Sequence, residues 1–328
     1  MKTYVSDLKV NCEVESYFLL VDVPQVRVSK KDEQYLVFKL VDKTGEVDAR
    51  MWQVSKDLEP ETLAGSIVKI RGSVSEWSGQ LQVSVSKMRK IAEETDEVDI
   101  ADFFERSERD PEDMFDELMD VVQTLESGFC LANGGDKLLI LVSNIVIRYK
   151  ESLKRAPAAK SVHHNYIGGL LEHVLSSIYL AQSVAQLYKL DSSLMVTGVI
   201  LHDIGKIFEL DVTMGIKYTI EGRLLGHISQ GMMMVADEMR KIEKFPQVLR
   251  VSILHLIASH HGLLEWGSPK IPLMREAIAL HLIDMIDSRL AICNRVLKNG
   301  LSQEGLSEFS KELGGQLFFP QNKGGLDG

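Results

Sequence analysis

At 328 residues, with 45% hydrophobic and 26% charged side chains, the chain is long enough for two domains with a core each. Its formal charge of −10 argues against a nucleic-acid partner only until the charges are placed, because the acidity is confined to one stretch. No charged-then-apolar leader follows Met1-Lys2-Thr3-Tyr4 and no apolar run is long enough to span a bilayer, so the expectation is a cytoplasmic protein with no membrane association and with Cys12, Cys130 and Cys293 unpaired.

From about residue 14 to residue 91 the apolar pattern has period two. Val47, Ala49 and Met51 alternate with Asp48, Arg50 and Trp52, and Leu81, Val83 and Val85 alternate with Gln82, Ser84 and Ser86, which predicts half-buried strands. Turn signals at Lys43-Thr44-Gly45 and Trp77-Ser78-Gly79-Gln80 divide the run into about five strands, the content of a small Greek-key barrel. The string from Asp42 through Gly45 to Trp52 is similar to OB-folds that bind nucleic acid. Such a barrel holds a single strand by stacking bases on exposed rings while Lys and Arg track the phosphates. Tyr35, Trp52 and Trp77 are the candidates for stacking, and Lys39, Arg50, Lys69 and Arg71 for phosphate. Tyr35 shares a strand face with Lys39, whereas Trp52 and Phe38 fit an ordinary core position equally well. The charge here is balanced, with 14 Lys and Arg against 13 Asp and Glu over residues 1–92.

Residues 93–126 carry 2 basic against 15 acidic side chains, and residues 127–328 carry 21 against 19. The run from Glu93 to Ile100 reads as a solvated linker, and Asp110-Pro111-Glu112-Asp113 as a helix start with acids at the positive end of the dipole. The expected division is a β domain over 1–92, an acidic linker with its leading helix over 93–126, an α domain over 127–313 and a glycine-rich tail over 314–328.

In the α domain, apolar residues at helical spacing carry polar ones that are costly to bury. Leu170, Leu171, His173, Val174 and Ile178 mark one helix, and Val196, Val199 and Ile200 lead a second into His202-Asp203, with Ile204 and Ile207 continuing the stripe. Ile253, Leu254, Ile257 and Ala258 run into His260-His261, His227 follows Leu224-Leu225-Gly226, and Asp284 sits in the apolar run from Ala279 to Asp287. A carboxylate inside such a run needs a partner or a metal. An adjacent His and Asp offer two kinds of ligand atom: imidazole suits Mn, Fe, Co or Zn, and the carboxylate can bridge to a second ion. Lys206, four residues after His202 and three after Asp203, shares their helical face. A lone buried His is more often a hydrogen-bonded core residue; His255 and His281 are read as such or as supports behind a ligand, and Asp287 as a partner of Arg289 or a helix neighbour. His260 and His261 point about 100° apart on a helix, which leaves open which of them reaches a site.

The order His173, His202-Asp203, His227, His260-His261, Asp284 resembles the HD-domain phosphohydrolases, in the subset whose extra histidines hold two metals. The runs Ala156-Pro157-Ala158 through His164-Asn165-Tyr166 to Glu172-His173, and Ser259-His260-His261-Gly262 with Glu265-Trp266-Gly267-Ser268-Pro269, resemble the YhaM-type 3′-5′ exoribonucleases. That family also places an OB-fold ahead of the HD domain, so the likeness covers nearly the full length. The resemblance implies a multidomain fold, an all-β OB-fold barrel followed by an all-α HD-domain helical bundle. It implies a hydrolase that trims single-stranded RNA from its 3′ end to nucleoside monophosphates, with single-stranded DNA as a second substrate to test. Two divalent cations are expected, manganese first and Co, Fe, Mg or Zn after it. His173, His202, Asp203 and Asp284 would hold one ion and His227, His260 and His261 the other, with Asp203 as the bridge. Lys206 would bind a nonbridging phosphate oxygen, and His164 would contact phosphate or protonate the leaving oxygen. Two other classes stand beside this: an HD phosphodiesterase or nucleotidase acting on a small nucleotide with a regulatory barrel, and a non-catalytic nucleic-acid-binding protein. The complete set of costly buried acids argues against the last. A homo-oligomer is compatible with all three.

Overall fold

The computed structural model of the chain describes residues 2–29, 32–54, 59–77, 79–91, 96–99, 102–103, 106–130, 132–159, 166–212, 216–298, 300–302 and 304–320. It divides into two compact units, Met1–Arg106 with Asp211–Lys217, and Ser107–Leu210 with Tyr218–Gly328.

The first unit is built on a six-stranded sheet. Its strands are β1 (Glu13–Leu20), β2 (Gln25–Val28), β3 (Gln34–Asp42), β4 (Gly45–Met51), β5 (Ser66–Trp77) and β6 (Gln80–Lys90), in the order β1-β5-β6-β4-β3-β2. A further antiparallel pairing of β1 with β3 at Leu19 and Val41 closes the sheet into a barrel, and β4 runs parallel to β6. The period-two pattern decides which side chains point in. Leu36, Phe38 and Leu40 of β3 and Val47, Ala49 and Met51 of β4 are buried, together with Phe18, Val68, Ile70, Val83 and Val85. The expected five strands become six because β2 adds an edge strand against β3; Gln25-Val26-Arg27-Val28 alternates, but it is only four residues long and all of them are exposed. The acidic connector also differs from the solvated linker expected. Where it is described it lies on the barrel: Phe103 is buried, and Asp102 accepts hydrogen bonds from Tyr4 Oη at 2.6 Å and Lys43 Nζ at 2.9 Å. Paired carboxylates and an apolar anchor outweigh the solvation that a run of acids favours.

The second unit is helical: α1 (Pro111–Gln123), α2 (Gly135–Arg148), α3 (Lys150–Arg155), α4 (Gly169–Tyr188), α5 (Ser192–Leu201), α6 (Lys206–Glu209), α7 (Ile220–Lys241), α8 (Gln247–Ser259) and α9 (Arg275–Lys298). Asp110 caps α1 as its sequence predicts, accepting from the backbone N–H groups of Glu112 and Asp113. α5 is buried from Ser193 to Leu201, packed among α2, α4, α8 and α9, which is why it reads as apolar all round. At its C-terminal end the core opens into the cluster of ionisable residues. Of the expected tail, Gly315 and Phe318 fold back to bridge Ser310 and Leu306, and residues 321–328 lie outside those described. Among the described residues no helix is long and apolar enough to cross a membrane.

Candidate metal centre

α5 ends at Leu201, and His202 is its C-cap, its backbone N–H reaching Gly198 O at 2.8 Å. The chain then turns through Asp203 to Gly205 before α6. Gly205 has a reason that its motif alone does not disclose: a Cβ there would lie 2.0 Å from the carbonyl oxygen of His227, so only glycine lets α7 close against this turn. Gly226 breaks α7 with φ 69°, and the kink turns His227 inward, where its backbone N–H meets Glu209 Oε1 at 3.1 Å. His173 comes from the start of α4, Asp284 from the middle of α9, and His260 and His261 follow the last residue of α8.

In all five of these histidines Nδ1 faces an oxygen. His202 Nδ1 lies 2.8 Å from Val199 O, His260 Nδ1 2.8 Å from Ile257 O, and His261 Nδ1 2.8 Å from Trp266 O. His173 Nδ1 is 2.7 Å from Asp287 Oδ2, and His227 Nδ1 is 3.1 Å from Glu209 Oε2. A carbonyl oxygen only accepts, so the proton sits on Nδ1 and the Nε2 lone pair is turned into the cavity.

Those lone pairs meet other acceptors. Asp203 Oδ2 is 3.4 Å from His202 Nε2 and 3.8 Å from His173 Nε2, while Oδ1 is 3.4 Å from His227 Nε2 and 3.6 Å from His260 Nε2. Asp284 Oδ1 is 3.5 Å from His173 Nε2, and the Nε2 atoms of His173 and His202 are 3.3 Å apart. Asp203 Oδ1, His227 Nε2 and His260 Nε2 are buried with no hydrogen-bond partner among the described residues. Burying several acceptors face to face is unfavourable unless a cation lies among them, so the residues present fit a metal. Their ligand atoms form two sets, His173 with His202 and Asp203, and His227 with His260 and His261, the atoms of each within 4.8 Å of one another.

The electrostatics have the same sense. Burial works against a charge on Asp203, but Lys206, whose Nζ is 2.5 Å from Oδ2, and then His202 outweigh it and hold the carboxyl well below its usual range. Burial likewise opposes a proton on His202, yet Asp203 and Asp284 raise its pKa. A cavity that attracts protons this strongly attracts other cations. Burial lowers the pKa of His260, and burial together with the neighbouring His260 lowers that of His261, keeping both imidazoles neutral as ligand nitrogens must be.

The structure gathers His173, His202, Asp203, Lys206, His227, His260, His261 and Asp284 at one place, and His164 lies outside the described residues. His260, the C-cap of α8, keeps a helical backbone, and the rings of His260 and His261 sit 4.3 Å apart beside His227. Asp287 accepts from His173 Nδ1 and from Ser176 Oγ, and so backs a candidate ligand. Glu209 does the same for His227 and was not anticipated. Its only sequence signal is an acid three residues past Lys206; that of Asp287 is its place one turn after Asp284. His255 and His281 are ordinary, His255 Nε2 accepting from Leu273 N at 2.9 Å and His281 Nδ1 lying 2.9 Å from His260 O.

On the barrel, Tyr35 and Trp52 stack on each other with centroids 4.4 Å apart, so they make one platform rather than two. Trp52 is 46% exposed, which decides against the core reading, whereas Phe38 is buried. Lys39 shares their side of β3 and pairs with Glu46, and Arg50 lies opposite Val37 between them. Lys69, Arg71 and Trp77 belong to β5 instead, and Trp77 stands exposed at its far end.

The model of the HD domain family matches residues 170–289, a span holding all seven candidate ligands, and that of the OB-fold nucleic acid binding domain family matches residues 23–91. Among solved structures, the chain is similar to the second OB-fold domain of replication protein A from Methanococcus maripaludis, at 21% identity over 30% of this chain and 100% of that one, with a TM-score of 0.24. It is also similar to the HD domain of the L. monocytogenes phosphodiesterase PgpH, at 16% identity over 48% of this chain and 83% of that one, with a TM-score of 0.29. The family matches carry the assignment: an OB-fold precedes an HD domain, a metal-dependent phosphohydrolase superfamily, and the pair supports a nucleic-acid hydrolase.

Proposed function

We propose that this chain, which sets an OB-fold ahead of an HD domain as the YhaM-type exoribonucleases do, is a metal-dependent 3′-5′ exoribonuclease that trims single-stranded RNA to nucleoside monophosphates. The observation that carries the reading is Asp203, with one oxygen toward His173 and His202 and the other toward His227 and His260. His173, His202 and Asp284 would hold one divalent cation, His227, His260 and His261 a second, and Asp203 both; imidazole with carboxylate suits Mn²⁺ among others. When bound, such a pair supplies Lewis acidity toward the phosphoryl oxygens and an acidified water near neutral pH. The protein's share is to hold the five imidazoles in one tautomer through their Nδ1 contacts, so that no ligand reorients during the reaction. Lys206, already at the edge of this set, would meet the negative charge that builds on a nonbridging oxygen. Polarity and RNA preference rest on the family likeness of the motifs.

The test is a 5′-labelled oligoribonucleotide incubated with Mn²⁺ beside a circular RNA and a cyclic dinucleotide. The expected result is a ladder shortening from the 3′ end that stalls at a hairpin, with the circle intact. Internal cuts in the circle would overturn the exonuclease reading. Turnover of the cyclic dinucleotide without any ladder would make the chain a small-nucleotide phosphodiesterase.

A further inference from the structure

Strand register on the barrel sets out a second row of charges, away from Tyr35 on β3 and from Trp52 just past the end of β4. Glu15, Arg71 and Lys87 lie abreast across β1, β5 and β6, as do Tyr17, Lys69 and Arg89. Beside them the parallel pairing of β4 with β6 ends at Arg50 and Ser84, and the chain beyond β4 parts from β6. A bulge in the β5–β6 ladder between Arg71 and Gly72 adds to the break, as bulges do where a strand bends. The gap is a pocket of about 650 Å³, with Met51, Val54 and Met88 among its apolar lining; Arg71, Lys87 and Arg89 contribute cations, and Lys69 is paired there with Glu15 at 3.2 Å. That volume lies in the range of small-ligand sites, about 300–1,000 Å³. Apolar lining with several cations suits one nucleotide, its base toward the partly buried Val54 and Met88 and its phosphate on the basic side chains.

A second observation shows what the cations accept. Asp96 of the acidic connector is seated on this face with 5% of its side chain exposed. Arg89 donates to it through both Nη atoms, at 2.7 and 2.8 Å, and Tyr17 Oη donates at 3.0 Å. A guanidinium fork takes a carboxylate and a phosphate in the same bidentate geometry, so the seat fits a backbone phosphate equally well. Arg71 and Lys87, both exposed, form no ion pair among the described residues.

We propose that this face is a second track for single-stranded nucleic acid, with a nucleotide pocket beside β6, and that Asp96 holds the phosphate position at Arg89 and Tyr17 until a strand displaces it. The connector is then a built-in competitor that weakens binding to any strand too short to displace it. This rests on the nucleic-acid reading of the barrel and not on the hydrolysis.

The experiment is fluorescence-anisotropy binding of a labelled oligoribonucleotide of about 12 nucleotides to the full chain, in EDTA and over a range of salt. Asp96→Asn is expected to bind about threefold to tenfold more tightly, with log K against log[salt] steeper by about 0.7, the value of one more phosphate contact on a single strand. Arg71→Gln with Lys87→Gln is expected to weaken binding by about tenfold and to flatten the slope by about 1.4. These are exposed positions, and unchanged melting temperatures show that the fold is kept. Wild-type affinity and slope in the Asp96 variant would overturn the competitor, and the same in the double variant would overturn the track. Complete displacement of the strand by free AMP would assign the pocket to mononucleotides and overturn it too; persistence of the strand supports it. Restoring Mn²⁺ tests cleavage of the same oligonucleotide separately, so a failed hydrolysis reading is told apart from a failed track.

Discussion

Each oxygen of Asp203 faces a different group of imidazoles, so removing this one side chain weakens both halves of the cavity together. Asp203→Ala is expected to cut hydrolysis by roughly a thousandfold or more, several kcal/mol of transition-state stabilisation, and to lower bound metal in elemental analysis while helical circular dichroism is retained. Full activity in this variant, or in chelator-treated protein, would sink the two-cation reading. Glu209 and Asp287 act one step further out, by fixing the proton on Nδ1 of His227 and His173. Glu209→Gln and Asp287→Asn should each cost about 10-fold to 100-fold in metal affinity or activity. Titration of the apoprotein with Mn²⁺ checks this, and wild-type affinity in both variants would show that the carboxylates do not set the ligands.

Between elements, one contact that responds to pH ties α7 to α2. Glu238, 3% exposed, accepts from Asn144 Nδ2 at 2.9 Å and faces Arg148 at 3.1 Å and Lys241 at 2.8 Å. Burial alone would raise its pKa, but the hydrogen bonds from Lys241 and Asn144 and the charge of Arg148 outweigh that and lower it from its ordinary 4.5. A carboxyl depressed in the folded state stabilises the fold above its unfolded value, and that contribution is lost as pH falls through the folded one. Glu238→Gln is therefore expected to cost about 1–3 kcal/mol near pH 7, the range for leaving partners of a buried group unsatisfied. The gap to wild type in urea unfolding should close as pH drops below 4.5. A gap unchanged at acid pH would mean that shape, not charge, is what Glu238 contributes.

Over the whole molecule, the proposed function puts grip on one unit and chemistry on the other, so the two should be separable by mutation. Replacing Tyr35 and Trp52 by Ala removes the stacked pair on the barrel. Base stacking on a ring contributes about 1–3 kcal/mol, so affinity for a long single strand should fall by about 10-fold to 100-fold. Metal content and turnover of a very short substrate should stay at wild-type levels. Equal affinity for long strands in the double variant would remove the β3–β4 face from the binding surface.

The β domain, the run of polar residues set into apolar helices and the Asp110 helix start were legible in the residues because each is a local property. Alternation shows a strand with one buried face, and a carboxylate in an apolar helix has to be compensated wherever it lies. Which way Asp203 turns its oxygens, which acids hold the Nδ1 protons, the shared cavity of His260 and His261, the closure of α7 on Gly205 and the seat of Asp96 were decided by tertiary structure alone. These are contacts between residues distant in sequence or past the end of a helix, where neither period two nor period 3.6 carries any signal. β2 is a different case: Gln25-Val26-Arg27-Val28 alternates, but four residues give too short a run to set it apart from the strand that follows.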